Sequence, residues 1–172
     1  MAVIGLDNLT GTAPGTAVRW WACKFQAIED GTFIDLNFSG SSTGTAVYKL
    51  CIWADSAGVP GTLLFESAQA SINTTNQTWT RPCTYSFTSG QVMHLGFVSD
   101  DWCNNNNIAG SSNQTTEFNE DYTSYGSFPI PVTVLAQYPL ATVIWGNYTP
   151  AAGGSPSIIG IQSIKGIQTL KF

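Results

Sequence analysis

The chain has 172 residues, a formal net charge of −5, and only 10% charged residues. Its length fits one domain that buries roughly 70% of the surface of the unfolded chain, so size alone requires no disulfide or metal. The six Lys and Arg residues are scattered, which argues against a nucleic-acid partner, because phosphate binding needs clustered basic side chains.

The composition predicts an all-β protein. Gly, Ser, Thr and Asn are abundant, and β-branched and aromatic residues dominate the apolar set, as is typical of sheets whose polarity is carried by hydroxyls and amides. No apolar run approaches the roughly 20 residues that span a bilayer. The N-terminus has neither the basic nor the apolar region of a secretory signal, so we expect a protein made in a cytoplasm, with no membrane span.

The first segment, residues 1–16, is polar and rich in Gly and Pro, which predicts an N-terminal arm or edge segment. We expect a β-sandwich domain over residues 17–157. Its first strand begins at Ala17 and carries large aromatic side chains on both faces. Residues 29–31, Glu-Asp-Gly, are a hairpin signal, so the second strand is expected to return beside the first.

The second strand has the clearest alternation in the chain. Ile34, Leu36 and Phe38 alternate with polar residues. This period of two predicts one face that is dry and one that is exposed to solvent.

Residues 47–66 predict a strand, a tight turn and a returning strand. Apart from Lys49, residues 47–53 are apolar on both pleat faces, which indicates a central strand covered on both sides. The turn follows at residues 55–61, where Gly58 and Gly61 are expected to supply positive φ angles and Asp55 to cap the turn with its carboxylate.

Two further strands are predicted at residues 78–87 and 91–99. Pro82 places the first of them at a sheet edge or a bulge, since proline has no N–H for the ladder. Residues 99–128 then contain few periodic apolar side chains, which predicts a long loop of the kind that is often functional. More strands follow between prolines up to Trp145.

The long loop holds most of the candidate ligand-binding residues. Carboxylates and amides there offer oxygen ligands to Ca²⁺, but the Asp-x-Asp-x-Asp-Gly spacing of a calcium loop is missing, so we predict no metal site. A Trp beside amides is a platform for a sugar, and the alternative is an Asx-rich loop with turn-forming side chains. The candidates in the loop and near Trp145 are Asp100, Asp101, Trp102, Asn104, Asn105, Trp145 and Tyr148.

The C-terminal segment, residues 158–172, contains a short repeat. Residues 158–163 and 164–169 read Ile-Ile-Gly-Ile-Gln-Ser and Ile-Lys-Gly-Ile-Gln-Thr, so equivalent side chains fall on one pleat face. One interpretation is a long final strand or hairpin, and the other is a strand that pairs with a neighbouring subunit in a homo-oligomer. The assembly candidates are Ile158, Ile161, Ile164, Ile167, Leu170 and Phe172.

Catalysis is not expected. The adjacent carboxylates lie in turn-like segments, and an enzyme would need two of them facing each other across a cleft. His94 is the only histidine; we expect it at the surface or half-buried, without a nucleophile nearby. The sequence therefore predicts a non-enzymatic protein with no cofactor.

The four cysteines have no Cys-x-x-Cys spacing, which speaks against a zinc site. Cys23 and Cys51 lie inside predicted strands and are expected to be small buried hydrophobes. Cys103, in the polar loop, is expected to be the most accessible. One disulfide between neighbouring strands stays open as an alternative.

Together these elements predict an all-β fold, a two-sheet antiparallel sandwich of the jelly-roll type. Three fragments carry a resemblance to a known group. Ile-Trp-Ala-Asp at residues 52–55 is followed by Ser-Ala-Gly-Val-Pro-Gly-Thr-Leu-Leu at 56–64, with supporting fragments around Trp79 and at residues 127–133. Over residues 18–145 the chain resembles jelly-roll modules of tailed-phage virion proteins and of bacterial extracellular proteins.

This resemblance implies a structural protein on the virion surface, acting as a capsid decoration, head-fibre or adhesion module. Its partners would be the major capsid protein or other virion proteins, further copies of the chain, and a glycan on the host surface. The alternative function is a carbohydrate-binding module that uses Trp102 and the Asn-rich loop. Folds of this kind host many roles, so the resemblance specifies the architecture more closely than the function.

Overall fold

The structure is a computed structural model that describes residues 1–7, 13–42, 46–72, 77–109, 115–118, 134–138 and 140–152. The regular secondary structure in these ranges consists of thirteen β-strands joined by turns and short connections. No helix in them is long and apolar enough to cross a membrane. The strands are β1 (Ala2–Gly5), β2 (Ala13–Gln26), β3 (Gly31–Ser42), β4 (Ala46–Ser56), β5 (Val59–Glu66), β6 (Ala70–Ile72), β7 (Gln77–Pro82), β8 (Ser86–Phe87), β9 (Val92–Ala109), β10 (Thr115–Phe118), β11 (Val134–Tyr138), β12 (Leu140–Thr142) and β13 (Ile144–Pro150).

The strands form two antiparallel layers that pack against each other. In the first layer β13 lies between β1 and β3, and the other edge of β3 pairs with β7 and β8. In the second layer the order is β5 and β6, then β4, β9, β2, β10 and β11. The predicted all-β sandwich is confirmed, and the arrangement is consistent with a jelly-roll-like module.

Strand β9 belongs to both layers. Its first half pairs with β4 and β2, whereas Cys103, Asn104 and Asn105 pair with the end of β3. The predicted loop over residues 99–128 is therefore wrong for residues 99–109 and 115–118, which are strands. Asn has a low β propensity, but ladder hydrogen bonds to neighbours on both sides outweigh that preference, which depends strongly on context.

The main core lies between the layers and is rich in aromatic rings. It includes Phe33, Phe38, Trp79, Phe87, Phe97 and Tyr148. A second, smaller cluster lies on the other face of the second layer and contains Trp20, Ala22, Cys51, Trp53 and Val98. Strand β4 contributes to both clusters, so the prediction that residues 47–53 are covered on both faces is confirmed.

A β-bulge in β3 changes the predicted pattern of that strand. Asp35 pairs with Asn147 and Phe33 with Tyr148, so Ile34 is an extra residue without a partner on β13. A bulge reverses the face of the sheet toward which the preceding side chains of the strand point. Phe33 is therefore buried at 1% exposure, and Ile34 is 43% exposed. The prediction that Ile34 shares the dry face with Leu36 and Phe38 is wrong.

The connection from β2 to β3 is not a hairpin. Among the described strands β2 pairs with β9 and β10 of the second layer, and β3 begins in the first layer, where it pairs with β13, β7 and β8. Residues 27–30 therefore cross between the layers. Asp30 holds this crossing in place, since its Oδ1 accepts a hydrogen bond from the Ser89 amide at 2.7 Å. The expected hairpin at residues 29–31 is wrong.

The turn between β4 and β5 has two residues, Ala57 and Gly58, with φ angles of 55° and 92°. Asp55 caps it as predicted, because its Oδ2 accepts from the Gly58 amide at 3.2 Å. Gly61 lies in β5 without a positive φ, contrary to the prediction. It is required for space, since a Cβ there would lie 2.8 Å from the Cβ of Ser56.

Candidate functional site

The outer face of the first layer carries two ladder rows of side chains. The first row runs Gly5, Trp145, Asn37, Thr80, and the second runs Val3, Asn147, Asp35, Pro82, across β1, β13, β3 and β7. Their chain neighbours Ile144, Leu36 and Phe38 are buried in the core. Because side chains alternate along a strand, these rows face outward. We call Trp145, Asn147, Asp35, Asn37 and Thr80 the polar patch.

Four of the five residues form one hydrogen-bonded chain. The Thr80 hydroxyl donates to Asn37 Oδ1 at 2.6 Å, and Asn37 Nδ2 donates to Asp35 Oδ1 at 2.6 Å. Asn147 Nδ2 donates to the same Asp35 oxygen at 2.7 Å. Bonds to a carboxylate are stronger than those between neutral groups, so the side chains from three strands hold one another in fixed orientations.

This chain leaves two oxygen acceptors unused. Asp35 Oδ2 and Asn147 Oδ1 have no hydrogen-bond partner among the described residues, and neither is a buried atom. No Lys or Arg of the described part forms an ion pair with Asp35. The patch therefore offers solvent a carboxylate oxygen and an amide oxygen side by side.

Trp145 borders these acceptors and is partly exposed. Its ladder partner on β1 is Gly5, which has a φ of 116° and no room for a side chain, because a Cβ would collide with the carbonyl oxygen of Ile144. Strand β1 thus places no side chain beside the indole in that row. Asn37 lies on its other side.

A second group of polar residues lies at an open groove on the second layer, lined by Lys24, Phe25, Gln26, Asp55, Ala57, Gly58 and Val92. Beneath it His94 is fully buried, so the expectation of a surface or half-buried histidine is wrong. His94 Nε2 lies 2.8 Å from Asp55 Oδ1. The hydrogen bond joins the β4–β5 turn to the first part of β9.

The His94–Asp55 pair has a neutral ring and an ionised carboxylate. Burial lowers the pKa of His94, outweighing the opposite effect of Asp55. Burial opposes ionisation of Asp55, but hydrogen bonds from His94 and Gly58, with the charge of Lys24, lower the pKa of that carboxyl. The His94 Nδ1 atom is buried without a partner, which a neutral ring with its proton on Nε2 tolerates and a protonated ring does not.

The groove is a poor candidate for chemistry. Both oxygens of Asp55 are engaged, one by His94 and one by the Gly58 amide, and His94 does not reach solvent. A general base has to come within hydrogen-bond reach of its substrate. The pair therefore acts as a structural tie.

The residues predicted as ligand candidates fall in three places. Asp100, Asp101, Trp102, Asn104 and Asn105 lie in β9, and their side chains are outside the described part. Trp145 is in the polar patch. Tyr148 is 1% exposed in the main core, so it does not line a surface.

The Tyr148 hydroxyl donates to Glu29 Oε1 at 2.8 Å. Burial, together with the hydrogen bond to Glu29 and its charge, raises the pKa of Tyr148 to about 12. This bond closes the end of the core near the crossing from β2 to β3. The assembly candidates Ile158, Ile161, Ile164, Ile167, Leu170 and Phe172 all lie outside the described residues.

The sequence did not single out Asp35, Asn37, Asn147 or Thr80. The signal that could have found Asp35 and Asn37 is their alternation with Leu36 and Phe38, which places both on the outer face. Joining them to Asn147 and Thr80 requires the register of β13 and β7 against β3, which alternation within one strand does not give.

Cys23, Cys51 and Cys83 are buried, which confirms the prediction for Cys23 and Cys51. Burial raises the pKa of Cys83 to about 11, so it is a poor nucleophile at neutral pH. The side chain of Cys103 is outside the described part. Across the residues that are described, no group of three or more His, Cys, Asp or Glu side chains is placed to hold a metal ion.

Comparison of the chain with protein families, with curated proteins and with solved structures found no match.

Proposed function

We propose that the chain is a non-enzymatic structural and adhesion module of a virion surface. The observation that carries the proposal is the polar patch, where side chains of β3, β7 and β13 are fixed by hydrogen bonds. Asn37 is buried within it, whereas Asp35, Asn147 and Thr80 are partly or fully exposed. Ordering a side chain costs conformational entropy, and a surface that has already lost that freedom binds a partner at lower cost. An ordered, flat polar face is therefore suited to recognition.

The second support is the resemblance of residues 52–64 to modules of phage virion proteins. In the structure these residues form the β4–β5 hairpin, whose turn is tied through Asp55 to His94 in β9. The motif thus stabilises the second layer, whereas the polar patch lies on the first layer. Neither role requires a reacting group at the surface.

The proposal is tested by locating the protein on particles. Phage particles purified from cells that make this chain would be analysed by mass spectrometry and by cryo-electron microscopy. We expect stoichiometric amounts of the protein and density for a two-layer sandwich on the capsid or tail surface. Absence of the protein from purified particles would refute the virion role.

A second candidate is a carbohydrate-binding module that acts apart from any virion. Trp145 beside two oxygen acceptors favours it, because sugar recognition commonly combines an aromatic face with polar groups. Assembly state separates the two functions. A symmetric oligomer in which the chain termini contact a neighbouring copy supports the virion role, whereas a monomer absent from particles supports the second candidate.

A further inference from the structure

We infer that the polar patch is a binding site for neutral carbohydrate, with Trp145, Asn147 and Asp35 as its contact residues. The inference deepens the proposed adhesion function and depends on it for its biological setting. The site itself is defined by the structure alone. It differs from the site predicted at Trp102, because it lies on the outer face of β13 and β3.

The unused acceptors match the chemistry of a sugar. Asp35 Oδ2 and Asn147 Oδ1 belong to neighbouring groups, since Asn147 Nδ2 already donates to the other oxygen of Asp35 at 2.7 Å. The hydroxyl groups of one sugar ring are hydrogen-bond donors that can serve such a pair of acceptors. The Thr80–Asn37–Asp35 chain fixes the amide and carboxylate orientations in advance, so binding does not have to order them.

Trp145 supplies the apolar part of the site. It lies two residues from Asn147 on the same face of β13, which is about 7 Å along a strand and comparable to the span of one hexose with its hydroxyl groups. A sugar stacked on the indole would therefore reach the two acceptors with its hydroxyls. Gly5, the ladder partner of Trp145 on β1, places no side chain in the way.

Charge selects among sugars. The Asp35 carboxylate has no cationic partner among the described residues, and the whole chain has a net charge of −5. Acidic sugars such as uronates would meet repulsion from both. We therefore expect neutral hexoses and N-acetylhexosamines to bind and acidic oligosaccharides to be rejected.

A calcium ion is the main competing occupant. Ca²⁺ takes six to eight oxygen ligands, several of them carboxylates, whereas the patch offers one carboxylate and one amide oxygen that are unused. A cation site is therefore incomplete here. A sugar needs only the two acceptors and the indole.

The experiment is a titration of the full chain with soluble hexasaccharides of glucose, mannose and N-acetylglucosamine, with hexagalacturonate as the acidic comparison and CaCl₂ as the cation comparison. Two-dimensional ¹H–¹⁵N NMR follows the six Trp indole signals; the Trp145 signal is the one that disappears in Trp145→Phe. An open site of this size gives dissociation constants on the order of 1 mM for one bound ring. We expect the Trp145 signal to shift with at least one neutral sugar.

Three variants test the assignment. Trp145→Ala should abolish binding, and Asp35→Asn should weaken it about tenfold or more, because it replaces a charged acceptor. Glu66→Gln, an equal charge change on the second layer, should leave binding unchanged. Circular dichroism confirms folding of each variant, and Trp145→Phe, which keeps an aromatic ring, should retain part of the affinity.

Three outcomes would overturn the site. The first is that the Trp145 signal does not shift with any neutral sugar at a concentration 20-fold above the expected dissociation constant, on the order of 20 mM. The second is that the acidic hexasaccharide binds as tightly as the neutral sugars. The third is that CaCl₂ alone shifts the Trp145 signal. None of these outcomes bears on whether the protein is present on purified particles. Failure of the sugar site and failure of the virion role are therefore read from different experiments.

Discussion

The tie between Asp55 and His94 gives the sharpest stability prediction. In Asp55→Ala the buried Nε2–H of His94 loses its acceptor, which costs about 1–3 kcal/mol. The Gly58 amide also loses its cap, worth about 1 kcal/mol. We therefore expect a loss of about 2–4 kcal/mol, a large share of the about 5–15 kcal/mol typical of domains. For a chain of this length, the melting temperature falls by about 2–4 °C per kcal/mol.

Urea unfolding and thermal melts, followed by circular dichroism, measure this effect. Asp55→Asn is the informative companion, because its amide oxygen can still accept from His94 while its NH₂ group cannot accept from Gly58, so its loss should be intermediate. Glu66→Gln removes an ion pair to Lys49 at a surface carboxylate and should change stability by less than about 1 kcal/mol. If Asp55→Ala were as stable as Glu66→Gln, the hydrogen bonds of Asp55 would make no measurable contribution to the free energy of unfolding.

The same pair sets a pH dependence. The pKa of His94 is lowered from 6.5 in the folded state, so below pH 6.5 the unfolded chain binds a proton that the folded chain does not. Stability must then fall as the pH drops below 6.5. The lowered pKa of Asp55 adds a second loss below its ordinary value of 3.8. In His94→Gln, the first decline should disappear, whereas an unchanged decline would show that another group causes it.

The remaining predictions concern backbone geometry and packing. Ala57→Gly should raise stability by about 0.5–1 kcal/mol in urea unfolding, because it relieves a residue at φ 55°; a decrease would contradict the left-handed turn. Gly146→Ala should lower the melting temperature by an amount that corresponds to about 1–3 kcal/mol, because its Cβ would collide with the Phe33 ring. Ile34→Thr should be nearly neutral and Leu36→Ala should cost about 2–5 kcal/mol; equal losses would contradict the bulge at Ile34.

Strand positions were largely predictable because covered strands are apolar on both faces and half-covered strands alternate. Apart from Lys49, residues 47–53 are apolar on both faces and lie between two hydrophobic clusters. Prediction failed where the ladder, and not the side-chain pattern, decides the conformation. The bulge at Ile34 is set by the register against β13, and the Asn-rich half of β9 is held by pairing with β2 and β3.

The candidate site was half predictable for the same reason. Trp145 could be selected from sequence, since an aromatic residue next to Gly and Asn stands out. Asp35 and Asn37 lie about 110 residues away along the chain and reach Trp145 and Asn147 only through strand pairing. A register of this kind depends on the whole sandwich, so the hydrogen-bonded chain could not be read from local spacing.

The passage of β9 through both layers has a mechanical consequence. A tensile force applied to either sheet is transmitted along one continuous backbone, Val92–Ala109, to the other sheet. Neither sheet can peel away without breaking ladder hydrogen bonds in the other, since β2, β3 and β4 all pair with this strand. Under load the two sheets should therefore rupture together in a single step.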